Sequence, residues 1–228
     1  MNVDVVCVGA HPDDVEIGMG ATVAKMAREG LRVALVDLTD GEPTPCGSHE
    51  MRMLEAARAA DTLGVSTRRT LSLPNRYLMD TVEARIELAE VLRKLKPRIV
   101  FVPYREDAHP DHIAAHRIAT AARFYAKFTK TEMAGEPHYA ARVYEYMAVH
   151  MRIAASPSFV VDVSEYLAVK IDALAAYESQ FSANPANSGI IRMVEQTAFA
   201  WGTLINTRAG EPFFTTEPVG IRSVADLV

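Results

Sequence analysis

Two short segments hold most of the residues able to do chemistry. AHPDDVEIGMG, residues 10–20, sets His11, Asp13, Asp14 and Glu16 close together, with Gly18 and Gly20 just behind. AHPDHIAAH, residues 108–116, supplies His109, Asp111, His112 and His116. Each follows an apolar run, and charge at the end of a buried strand is costly unless something offsets it. Two explanations are open. A helix N-terminus accepts acidic residues as caps and as partners of its dipole. A hydrolytic metal site uses the same side chains: catalytic zinc takes three His or carboxylate ligands and keeps one position for water. One His and one Asp from the first segment and one His from the second fit that count. A spare carboxylate is then free as general base, and a spare imidazole to polarise a carbonyl or protonate a leaving group. Such a site hydrolyses an amide or an ester.

The remaining polar residues are less telling. His116 lies one helical turn from His112 and reads as a flanking or exposed histidine. His49, His138 and His150 have no clustered partners and read as structural or surface residues. Glu16 either supports the metal loop or complements the helix dipole. The GMG of Gly18 and Gly20 falls short of a dinucleotide fingerprint. Asp37 and Asp40, near the end of the second apolar strand, keep a non-catalytic nucleotide-sugar module as the alternative from another class. A pyrophosphate would sit poorly beside these carboxylates, so the glycines read better as allowing close helix–sheet packing.

The elements that must position these residues alternate. Strands are predicted at Val3–Val8, Val33–Leu38, Thr70–Leu73 and Ile99–Val102. Helices are predicted at Ile17–Glu29, Glu50–Leu63, Val82–Leu95 and about His112–Phe128, with Gly30 and Gly64 as stops. In the last third, Val143–Val149 and Phe159–Val163 read as strands, and Ser164–Tyr177 and Ile190–Thr203 as helices. Continuous apolar strands between helices imply an α/β fold: a Rossmann-like, doubly wound, mostly parallel sheet with helices on both faces. In the order 3-2-1-4-5 the first and fourth strands are neighbours, and ligands bind at their carboxyl ends. The two His/Asp-rich loops should therefore face each other. No repeat or linker interrupts the chain, and residues 1–228 read as one domain.

Composition narrows the class. The chain has 228 residues, 49% hydrophobic and 23% charged, with a net charge of −5. This suits a globular protein with a full core and argues against a nucleic-acid footprint. No apolar run is long enough for a membrane span. MNVDVVCV lacks the basic start of a secretory signal. Cys7 and Cys46 form neither a disulfide framework nor a CxxC site, so a reducing cytoplasm is the expected compartment.

The paired motifs, with Arg52 in EMRMLEAARAADTLGV, resemble the LmbE-like or PIG-L family of zinc N-acetylglucosaminyl deacetylases over most of the chain. LPNRYL, AYESQF and GEPFF look closest to its bacillithiol-pathway branch, which deacetylates N-acetylglucosaminyl malate. The resemblance implies Zn²⁺, replaceable by Fe²⁺, on His11, Asp14 and His112. It implies Asp13 as general base, and His109 as oxyanion stabiliser and acid with Asp111 orienting its ring. It further implies Arg52 as a contact for sugar hydroxyls, a small N-acetylated sugar as substrate, and a homo-oligomer. Deacetylation of another N-acyl sugar or of a chitin oligomer is the alternative within the class. Where that branch has a loop more like RGELGTRG, this chain has TDGEPTPCGS. The change leaves the metal chemistry untouched and falls on the edge of the sheet where substrate would sit.

Overall fold

The computed structural model describes residues 2–148, 150, 155–221 and 223–224. Strands β1 (Val5–Gly9), β2 (Val33–Asp37), β3 (Thr67–Thr70), β4 (Ile99–Pro103), β5 (Arg142–Tyr146), β6 (Phe159–Asp162) and β7 (Gly210–Phe214) form one sheet in the order β3-β2-β1-β4-β5-β7-β6. The first five in that order run parallel, and β7 lies antiparallel to both β5 and β6. The 3-2-1-4-5 order expected from the sequence is thus the parallel part of a larger mixed sheet.

The helices are α1 (Asp14–Arg28), α2 (His49–Leu63), α3 (Val82–Leu95), α4 (Pro110–Tyr125), α5 (Leu167–Ala175), α6 (Glu178–Phe181) and α7 (Ile190–Thr203). Alternate residues of each central strand feed opposite cores, as the pleat requires. Val6 and Val8 pack with Leu88, Leu92 and Ile118 of α3 and α4. Val5 and Cys7 pack with Val15, Ala56, Leu174 and Val194 of α1, α2, α5 and α7. Helices therefore cover both faces.

Close packing of α1 on β5 explains Gly18: a Cβ there would collide with the Tyr146 ring and crowd the Met147 backbone. The helix also breaks. Met19 has φ −150° and ψ 23°, outside the helical region. Glu211 of β7 bonds the next turn's N–H groups, Ala21 at 3.2 Å and Thr22 at 2.7 Å. The same carboxylate holds Lys170 of α5 at 2.6 Å, with both side chains buried. The Glu of GEPFF thus caps a helix restart in mid-element, the task an N-cap residue performs at a helix start.

Four points differ from expectation. β3 lies at Thr67–Thr70 rather than 70–73, because its two arginines hide a strand whose Arg68 bonds inward to Asp37 and Glu16. GEPFF is a strand that sequence reading did not place, since Pro212 argues against one. The helix expected over 164–177 is confined to Leu167–Ala175. Of the strand expected over 143–149, β5 covers the first part, and Val149 lies outside the described residues.

Candidate metal centre

β1 and β4 are hydrogen-bonded neighbours, with Val5 beside Ile99 and Cys7 beside Phe101. Their carboxyl ends deliver the two His/Asp segments to one place. After Gly9 the chain turns through His11, Pro12 and Asp13 into α1. Asp13 holds the leading position of that helix with φ 119° and makes no capping bond. Its carboxylate instead accepts from Arg52 Nη2 at 3.2 Å. The cap explanation therefore fails for this residue.

Asp14 sits between two imidazoles. Its Oδ2 accepts the His11 backbone N–H at 2.8 Å and lies 3.5 Å from His11 Nδ1. Its Oδ1 lies 3.2 Å from His112 Nε2. That nitrogen is buried and has no hydrogen-bond partner among the described residues. The other nitrogen of His112, Nδ1, meets Asp107 Oδ2 at 2.5 Å. Ligand atoms of His11, Asp14 and His112 all come within 4.8 Å of one another, and all three residues are buried.

This set fits a metal ion. An orphaned imidazole nitrogen, a carboxylate and a second imidazole converge, and a further carboxylate grips the ligand His from behind, as metal-binding histidines usually require. The local charge agrees. Burial works against protonating His11 and His112, yet Asp14, helped by Asp111 and Asp107 respectively, pulls their pKa values up to about 9 and about 10. Burial likewise pushes Asp14 up, but the two imidazoles hold it well below the usual carboxylate range. The site draws positive charge, which a cation supplies. His11, His109 and Asp111 also approach within 4.8 Å. Their acceptors are already engaged: Asp111 takes the N–H groups of Arg76 at 2.6 Å and Leu78 at 3.3 Å, and His109 Nδ1 takes that of Asp111 at 3.2 Å. The set with the unpartnered nitrogen is the better ligand group.

Around the ligand set stand residues with other tendencies. Burial raises Asp13 to about 7, against the pull of Arg52 and with added repulsion from Asp14. Burial lowers His109 to about 4, reinforced by His11 and His112. Because His109 Nδ1 accepts a backbone N–H, the proton of the neutral ring sits on Nε2, which is then a donor. The His109 ring stacks on His112 with centroids 4.8 Å apart.

All seven residues singled out from sequence meet here: His11, Asp13, Asp14, Arg52, His109, Asp111 and His112. Two roles need correcting. The Asp111 carboxylate does not orient His109; it contacts His11 Nε2 at 3.2 Å and anchors the 76–78 backbone, and only its N–H meets His109. His150 is not an unclustered histidine: its ring lies 5.4 Å from His109 and 5.3 Å from His112, and its N–H donates to Asp107 at 2.8 Å. Arg52 is only 3% exposed. It meets Asp13 and stands over the Tyr177 ring at 5.5 Å, leaving Nε and Nη1 without partners among the described residues. Glu16 faces away from the ligand set, bonding Arg68 at 2.6 Å and the Tyr177 hydroxyl at 2.8 Å. Asp37 is bonded bidentately by Arg68, which removes it as a ribose acceptor and weakens the nucleotide alternative. Asp107 escaped sequence reading, although REDAHPDH carries it five residues before its partner, more than one helical turn and across a loop.

Comparison with known proteins follows the same lines. Residues 6–123 match the PIG-L family, described as GlcNAc-PI de-N-acetylase. A diacetylchitobiose deacetylase of Thermococcus kodakarensis is 33% identical over 192 residues, covering 78% of this chain and 70% of that protein. A 1D-myo-inositol 2-acetamido-2-deoxy-alpha-D-glucopyranoside deacetylase of Catenulispora acidiphila is 32% identical, covering 78% of this chain and 80% of that protein. Among solved structures, a conserved protein of Thermus thermophilus is 36% identical with a TM-score of 0.89, covering 97% of this chain and 98% of that one.

Proposed function

The chain belongs to the PIG-L family, and from that premise we propose that it is a zinc-dependent N-deacetylase of a small N-acetylglucosamine glycoside. The observation that carries the reading is the buried His11–Asp14–His112 convergence with one unpartnered nitrogen, flanked by Asp13, which stands outside the ligand set. The His₂–Asp donor set suits zinc, with iron(II) able to replace it. When bound, the ion acidifies water and polarises the amide carbonyl.

The chain's own residues then divide the work. Asp13 takes the water's proton; Arg52 fixes its carboxylate, and burial keeps its basicity near neutrality. His109 donates Nε2–H to the carbonyl oxygen as negative charge grows there. With Nδ1 committed to a backbone N–H, His109 has no further proton to give. The acid role that the resemblance implied for His109 therefore passes in this reading to Asp13, which carries the proton from water to nitrogen.

The aglycone is read as malate, in a bacillithiol-type pathway. Support comes from LPNRYL, whose Arg76 is exposed at the rim and donates Nη2 to the Pro43 carbonyl of the 39–48 loop at 2.6 Å. A guanidinium there suits a carboxylate-bearing aglycone. The names of the relatives point instead to a second sugar or an inositol. The test is a panel of N-acetylglucosaminides with malate, sugar and inositol aglycones, scored by free-amine release with and without a chelator. Loss of activity on metal removal, its return with zinc, and the highest kcat/KM on the malate glycoside are expected. Activity that survives complete metal removal overturns the metal assignment; a higher kcat/KM on a neutral aglycone overturns malate alone.

A further inference from the structure

A cavity of about 390 Å³ runs from the ligand residues into the space between α1, α7 and β7. Asp14 and His112 form part of its wall, so it begins where the scissile amide must lie. Beyond them the wall is mainly hydrocarbon: Ile190, Val194 and Trp201 of α7 face Ile17 of α1 and Pro212 of β7. The two charged side chains that reach it, Lys170 and Glu211, are bonded to each other at 2.6 Å. Among the described residues, neither the 39–48 loop nor Arg76 lines it. In the sheet order those polar features lie on the β2 flank of β1, whereas the cavity lies toward β5 and β7. A polyhydroxylated or anionic aglycone suits the first flank; in the second, His150 lies at the ligand end beside His112 and the Thr197 hydroxyl donates to the Met193 carbonyl at 2.8 Å, so the rest of the wall offers mainly hydrocarbon.

We propose that the cavity is an acyl subsite, taking the hydrocarbon chain of N-acyl groups longer than acetyl. The inference rests on the deacylase reading above and widens its substrate class to N-butyryl- and N-hexanoylglucosaminides. The reaction is unchanged: water's oxygen bonds to the acyl carbon, the amide C–N bond breaks, the fatty acid leaves, and the amine keeps the transferred proton. The chain of the acyl group runs along α7 while the sugar stays on the side of Arg76. Each methylene buried there favours binding about fourfold.

The test uses the whole protein with metal. kcat/KM is measured by free-amine release for N-acetyl-, N-butyryl- and N-hexanoylglucosamine carrying one common aglycone. A rise of about two- to fourfold per methylene is expected, and in Thr197→Trp, which narrows the cavity from the exposed side of α7, the hexanoyl-to-acetyl ratio falls at least about tenfold. Trp201 is the chain's single tryptophan, so its emission gives a second readout in the wild type that needs no turnover. N-hexanoylglucosamine should shift that emission and N-acetylglucosamine should not. Hydrolysis of the acetyl substrate alone, with no emission change on adding the hexanoyl compound, overturns the subsite and leaves the deacetylase standing. No hydrolysis of any substrate overturns the deacetylase reading, and the emission titration then decides the subsite alone. Emission that changes only with protein concentration assigns this face to a second copy and overturns it too.

Discussion

Asp107 grips His112 through Nδ1 and takes the backbone N–H groups of Ala108, His109 and His150 on its other oxygen. One carboxylate thus sets the direction of a ligand nitrogen and the shape of the loop that carries it. Asp107→Asn should weaken metal binding about 10- to 100-fold while the protein still folds; metal titration monitored beside circular dichroism checks both. Asp13 sits on the other side of the division. Asp13→Asn should keep the metal and lower kcat by about 10²- to 10⁴-fold, whereas His11→Ala should lose the metal. Metal content and amine release, measured on the same samples, separate them, and an Asp13→Asn enzyme of full activity removes Asp13 as base. A His₂–Asp metal site was suggested by HPDD and HPDH, which crowd charge beside apolar runs, while the choice of His11, Asp14 and His112 within them came from the family resemblance. Asp107 and His150 were not legible, because their importance lies in distances that no spacing rule reports: five residues around a loop, and about forty residues across the sheet.

At the scale of elements, the Glu211–Lys170 pair joins three of them, with β7 capping the restart of α1 and α5 neutralising the cap. Removing one partner of a buried ion pair strands the other charge, at a cost of about 3–5 kcal/mol. Glu211→Gln keeps one acceptor, for Ala21 or Thr22 but not both, and strands Lys170, so it should approach that cost in urea unfolding. Adding Lys170→Met removes the stranded charge and should recover most of the loss; an unchanged deficit in the double variant means the helix cap, not the charge, is what Glu211 supplies. Most elements were legible. α3 and α7 fall where periodicity puts them, and at α3 Thr81 bonds the Ala84 N–H as a cap should. β3 and β7 were misplaced or missed for one shared reason: polar or proline residues in them serve partners far away in the chain. Arg68 bonds Asp37 and Glu16, and Glu211 bonds α1, so their local pattern is not that of a half-buried strand.

For the whole molecule, the central inference from sequence was topological. Neighbouring β1 and β4 bring two loops about a hundred residues apart into one site, as the strand order implies. The antiparallel β7 and β6 beyond β5 had no such sign, and β7 supplies part of the wall of the apolar cavity. The ligand set spans this closure: His11 and Asp14 follow β1, and His112 stands on α4 after β4. An ion held by all three therefore binds only the folded chain, and by mass action it stabilises that chain. At free zinc about 100-fold above Kd the gain is about 2.7 kcal/mol, which for a chain of this size raises Tm by about 5–10 °C. His112→Ala removes one of the three ligands and should flatten the dependence of Tm on zinc. Asp13→Asn leaves the ligand set intact and should keep the full rise. A zinc response equal in wild type and His112→Ala places the ion elsewhere, and a response lost in Asp13→Asn makes Asp13 a ligand instead of a base. The melting series therefore tests the division of the two aspartates without any substrate.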